Sequence, residues 1–125
     1  MIKAELLRDK GILVVTPMDT LEKSDFQRLN LLVDPYIQDK GKLIGILIDA
    51  ESFPGWDDFA SLLSHIRFIR NHEKEVERVA AVTDKGFLAI LPKVADYFVA
   101  AELRHFEYQE RDRALAWLES GLDVD

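Results

Sequence analysis

The sequence predicts a single α/β domain, residues 1–125, with a five-stranded, mostly parallel sheet, an N-terminal antiparallel hairpin and four helices in the order ββαβαβαβα. Three observations carry this expectation. Residues 43–48 and residues 79–83, with Val76, are continuous apolar runs, the pattern of central strands buried on both faces of a parallel sheet. Around them, apolar residues recur at helical spacing. Short strands that alternate with helices favour parallel pairing through right-handed crossovers.

Each element has a local reason. Residues 2–7 and 12–16 read as two strands joined across Asp9, Lys10 and Gly11, a hairpin-type connection in which Gly11 can take a positive φ. Asp19, with Glu22 three residues on, resembles a capping pair, and Phe26, Leu29, Val33, Tyr36 and Ile37 then mark the first helix to about Gln38. Pro35 should kink it. A turn at residues 39–42 leads into the strand at 43–48. Phe59, Leu62, Leu63, Ile66 and Ile69 outline a second helix covering the sheet. After the strand at 79–83, Asp84 can cap a third helical segment running to about Val99. A fifth strand follows at 102–108, and a final helix at 110–120 is stopped by Gly121. Within it Ala114, Trp117 and Leu118 share one face and read as core.

Composition narrows the function classes. A chain of 125 residues, 48% hydrophobic, can bury about two thirds of its unfolded surface around one core. The net charge of -7 and the absence of a Lys/Arg cluster argue against nucleic-acid binding. No cysteine is present, which excludes disulfides, thiolate metal sites and cysteine nucleophiles. With no apolar signal core at the start and no apolar run of the ~18 residues that a bilayer requires, the expectation is a soluble, cytoplasmic protein.

The stretch at residues 43–58 points to where function sits. An apolar strand ends on Asp49, crosses Glu51, Ser52, Phe53, Pro54 and Gly55, and enters a helix at Trp56 behind paired acids. Open α/β proteins place ligands and partners at such junctions. A phosphate cradle would need clustered glycines and a hydrolase a Gly-flanked serine, and this junction has neither. Asp49 and Asp84 end adjacent central strands and could converge as an acid/base pair or a hard-metal site. Without a third positioned group, capping of the following helices is the preferred reading. His65 and His72 are seven apart, whereas helical metal pairs sit four apart, so they read as a solvated face. Phe53 and Trp56 read first as packing over the sheet edge and otherwise as a wall of the site. No catalytic residue, metal or cofactor is expected.

Gly55-Trp56 at the second helix, Val79 to Asp84 reading VAAVTD, and Phe106 followed by RALAWL from Arg113 to Leu118 together resemble the STAS domain (sulfate transporter and anti-sigma factor antagonist), in its divergent SpoIIAA-like branch. The resemblance implies a non-enzymatic regulatory module that docks a protein partner through the loop after the third strand, with Asp49, Glu51, Ser52, Phe53, Trp56 and Asp84 as contact residues. In anti-sigma antagonists a serine in an Asp-Ser-Ser-Gly motif at this strand end is phosphorylated. Here the aligned residues are Asp49-Ala50-Glu51-Ser52, so Glu51 stands on the acceptor position. A carboxylate resembles a permanent but weaker charge, one unit against the ~1.5 to 2 of a phosphate. Ser52 is a displaced acceptor or, preferred here, a turn hydroxyl.

The third helical segment supports a second class. Of the fifteen residues 87–101, twelve are hydrophobic and only Lys93 and Asp96 are charged, more apolar area than one sheet face requires. It is either buried between the sheet and a neighbour, a homodimer included, or a lid hinged at Pro92 that presents Phe87, Leu88, Leu91, Tyr97 and Phe98 to a hydrophobic pocket or a membrane surface. The alternative function is therefore a carrier or sensor of a hydrophobic, lipid-like small molecule. The architectural resemblance of STAS domains to the lipid-binding CRAL-TRIO fold points the same way.

Overall fold

The computed structural model describes residues 1–18, 22–50, 76–84 and 102–121. Five strands, β1 (Ile2–Leu7), β2 (Ile12–Pro17), β3 (Leu43–Asp49), β4 (Val76–Thr83) and β5 (Glu102–Glu107), form one sheet in sequential order β1-β2-β3-β4-β5. β1 and β2 are antiparallel, and β2 through β5 are parallel. The mixed sheet, its hairpin and all five strands agree with the sequence expectation. Among the described residues there are two α-helices, α1 (Lys23–Lys40) and α2 (Arg111–Ser120), with a 3-10 turn at Tyr108–Glu110 ahead of α2. The second and third of the four expected helices fall outside the described residues.

The hairpin closes as its glycine suggests. Gly11 has φ 70°, and a Cβ there would come within 3.2 Å of the Tyr36 hydroxyl, so both backbone and space call for glycine. Successive strand residues alternate between two cores. On one face Leu13, Val15, Ile46, Ile48, Val79 and Ala81 pack against Leu29, Val33 and Tyr36 of α1. On the other, Ile12, Val14, Leu47, Ala80, Val82 and Phe106 pack against Ala114, Trp117 and Leu118 of α2. β3 and β4 serve both cores, which is why residues 43–48 and 79–82 are apolar without alternation.

The start of α1 departs from expectation. Its N-cap is Glu22, with Asp25 as the N3 partner, instead of Asp19 with Glu22. Asp25 is 5% exposed and accepts from the Glu22 backbone N–H at 2.9 Å while pairing with Arg28 and, at 3.3 Å, with the Met1 amine. These three donors fix the cap one turn later than the spacing of Asp19 and Glu22 suggests. α1 runs through Pro35 as one helix to Lys40. Pro35 is exposed, so the Leu31 carbonyl that loses its donor faces solvent instead of the core. Gly41, at φ 88°, closes the helix by donating to Ile37 O.

α2 is pinned at its C-terminal end by two contacts. Gly121 ends it in the left-handed region, as expected, and donates to Trp117 O at 2.7 Å. Arg78 of β4 donates from its guanidinium to Leu118 O at 2.9 Å, placing a cation on the negative end of the helix dipole. Beneath α2 the sheet narrows at Gly45, where a Cβ would stand 2.8 Å from Leu118 Cδ2. The helix rests directly on β3 because this residue has no side chain.

Candidate functional site

β3, β4 and β5 all end at one edge of the sheet, on Asp49, Thr83 and Glu107. The ladder carries one bond further, from Ala50 N–H to Val82 O at 3.0 Å. This holds the first step of the chain beyond Asp49 against β4. Asp49 lies opposite Val82, two residues before Asp84, so both aspartates sit at the ends of adjacent central strands as the sequence implied.

The Asp49 carboxylate is on the α2 side of the sheet, 14% exposed, and its Oδ2 accepts from Arg111 Nε at 3.1 Å. Arg111 is the first residue of α2 and nearly half exposed. Its position is electrostatically unusual, since the first turn of a helix favours acids over cations. The Asp49 carboxylate compensates that charge. The other oxygen, Oδ1, is buried and has no hydrogen-bond partner among the described residues. On the neighbouring strand the Thr83 hydroxyl, in a residue 2% exposed, is also buried without a partner among the described residues. Among the described residues, two central strands thus end in buried polar atoms with unused hydrogen-bonding capacity.

Around them the edge is tightly braced. His105 Nε2 lies 3.2 Å from both Thr83 O and Asp84 O, and since carbonyls only accept, this nitrogen carries the proton. Glu107 and Glu110 form a capping box in which the Glu107 N–H donates to Glu110 Oε1 at 3.0 Å. That backbone bond, helped by Arg113 at 2.8 Å, holds the Glu110 carboxyl below its ordinary range. The Phe106 ring lies 5.8 Å from Trp117, with the guanidinium groups of Arg104 and Arg113 at 5.0 and 5.9 Å from its centre. A cleft of about 230 Å³ lined by Lys3, Ala4, Glu5, Val14, Thr16 and Arg111 opens on the same face.

Of the sequence-selected residues, the structure describes Asp49 and Asp84. Glu51, Ser52, Phe53 and Trp56, and the lid residues Phe87, Leu88, Leu91, Pro92, Tyr97 and Phe98, lie outside the described residues, as do the helices that Asp49 and Asp84 were expected to cap. Arg111 was missed. Its signal was a cation in the first turn of a helix directly after a strand, a placement that calls for a nearby carboxylate. Among the described residues no group of three His, Asp or Glu side chains is placed to hold a metal ion, and no helix is long and apolar enough to cross a membrane.

A five-stranded mixed sheet with a leading antiparallel hairpin, covered by one helix on each face, defines the class as an α/β domain. The sequence model of the SpoIIAA-like family matches residues 12–119, and the chain belongs to that family. Domains of this STAS type are in general regulatory binding modules and not enzymes. No curated protein and no solved structure matches the chain.

Proposed function

We propose that this protein is a non-enzymatic regulatory module that docks a protein partner at the edge where β3 and β4 end, through the loop that follows Asp49. The observation that carries this reading is the Asp49 carboxylate, held by Arg111 and keeping one buried oxygen without a partner among the described residues. A rigid acceptor with spare capacity, at the edge where α/β domains bind, suits a donor arriving from a partner or from the loop that meets it. Glu51, Ser52, Phe53, Trp56 and Asp84 are the further contact residues of this reading. Glu51 on the family's acceptor position supports a module without the phosphoserine switch. The test is affinity purification with quantitative mass spectrometry of wild type against Arg111→Ala and Asp49→Ala, both checked for fold by circular dichroism. One partner retained by wild type and lost from both variants is expected, and equal retention by all three overturns the docking site. Incubation with an anti-sigma-type kinase should leave the loop unmodified, whereas phosphate mapped to Ser52 would show that the switch has moved.

A second reading is favoured by the apolar surplus of residues 87–101: a carrier of a hydrophobic small molecule gated by that segment. Native mass spectrometry of the purified protein separates the two. A co-purified lipid or fatty acid supports the carrier, and a clean apo mass supports the module. Leu91→Asp should then abolish lipid-induced protection in hydrogen exchange at low cost in stability if that residue serves a lid, and unfold the protein if it is core.

A further inference from the structure

β1 is an edge strand. Its inner side pairs with β2, and among the described residues nothing pairs with its outer side. The ladder fixes which backbone groups face outward. Met1 N donates to Met18 O at 2.7 Å and Met18 N to Met1 O at 2.6 Å, so Met1 turns its backbone groups toward β2. By antiparallel alternation Lys3, Glu5 and Leu7 do the same. Pro17, which has no N–H, stands opposite Ile2, as that alternation requires. The N–H and C=O groups of Ile2, Ala4 and Leu6 therefore point away from the sheet.

We propose that this edge pairs with β1 of a second copy, antiparallel about a two-fold axis at Ala4, so that one sheet continues through both protomers. The proposal is independent of the docking function above. Its warrant is charge complementarity in a single register. Centred on Ala4, the pairing sets Lys3 opposite the partner's Glu5 and Glu5 opposite the partner's Lys3. Both pairs fall at non-hydrogen-bonded positions, where side chains approach most closely. The adjacent registers, centred on Lys3 or on Glu5, set Lys3 against itself or Glu5 against itself. Charges that ordinarily guard an edge against pairing thus admit one alignment and reject its neighbours.

The remaining residues fit the same alignment. On the α1 side Ile2 faces the partner's Leu6, continuing the apolar row that both residues already extend from the core. Ala4 is exposed and small, suited to the axis. Recesses of about 170 and 230 Å³ flank it on the two faces of the sheet, the first lined by Asp25, Arg28, Leu29 and Leu32 of α1. An isologous contact of this kind closes at two copies and does not propagate.

Sedimentation velocity of the full chain over a concentration series tests the proposal. The expected result is a reversible monomer–dimer equilibrium. Lys3→Glu and Glu5→Lys should each weaken it about tenfold, and the two together should restore it. Ala4→Pro removes an outward donor without touching the β1–β2 ladder and should give a folded monomer by circular dichroism. If that variant fails to fold, the charge reversals and their mutual rescue still decide. A wild-type chain that stays monomeric up to about millimolar concentration, or a dimer indifferent to the charge variants, overturns the proposal.

Discussion

Asp25 and Asp49 show how surroundings assign different work to the same side chain. Asp25 serves its own helix: the Glu22 backbone N–H, then Arg28 and the Met1 amine, hold its carboxyl at about 2, below the ordinary 3.8, against the opposing effect of burial. A carboxyl depressed on folding stabilises the native state above its unfolded value and loses that contribution as the pH falls through the folded one. Urea unfolding should therefore show Asp25→Asn less stable than wild type at neutral pH, with the gap closing as the pH falls from about 4 to about 2; a gap independent of pH would refute the assignment. Asp49 serves a contact 62 residues away. Arg111→Ala leaves a mostly buried carboxylate with neither oxygen paired among the described residues and should cost about 1–3 kcal/mol in chemical denaturation. Adding Asp49→Ala should cost less than the sum of the two single changes. Asp49 was legible from the sequence because it ends an apolar run, whereas Arg111 was not, because nothing local announces a partner so distant in the chain. The cap of α1 was misplaced even though its main partners are local: the Glu22 backbone N–H and Arg28 hold Asp25, and the Met1 amine, which the folded hairpin brings to it, adds a third donor.

The strands were the most legible elements. β3 and residues 79–82 of β4 are apolar on both faces because α1 and α2 cover opposite sides of the sheet, so β3 could be read almost to the residue, whereas the start of β4 at Val76 was hidden by Glu77 and Arg78. The support of α2 was less visible. Gly45 sits in an apolar strand where a larger residue would satisfy the pattern, and only the closeness of Leu118 explains it. Gly45→Ala should cost about 1–3 kcal/mol through overpacking, and the penalty should shrink in a Leu118→Ala background, where the space is already open. Equal penalties in both backgrounds, read from thermal or urea unfolding, would mean that the contact is not what excludes a side chain. Arg78 makes a similar point, since a charged residue in a central strand is tolerated because it reaches the C-terminal carbonyls of α2.

At the scale of the whole molecule the surplus of acid sets how the protein meets others. Sixteen Lys and Arg face twenty-three Asp and Glu, and several described cations are already committed, Arg28 to Asp25, Arg111 to Asp49 and Arg113 to Glu110. The field reaching solvent is therefore negative and favours a basic partner surface. Complementarity of this kind acts on encounter more than on the lifetime of the complex, and salt screens it over about 8 Å at physiological ionic strength. For the partner recovered by its dependence on Arg111 and Asp49, stopped-flow binding across a salt series should show the association rate falling as ionic strength rises, with dissociation little changed. An association rate that rises with salt would instead place the contact on apolar surface, and would favour the reading in which residues 87–101 meet a hydrophobic ligand.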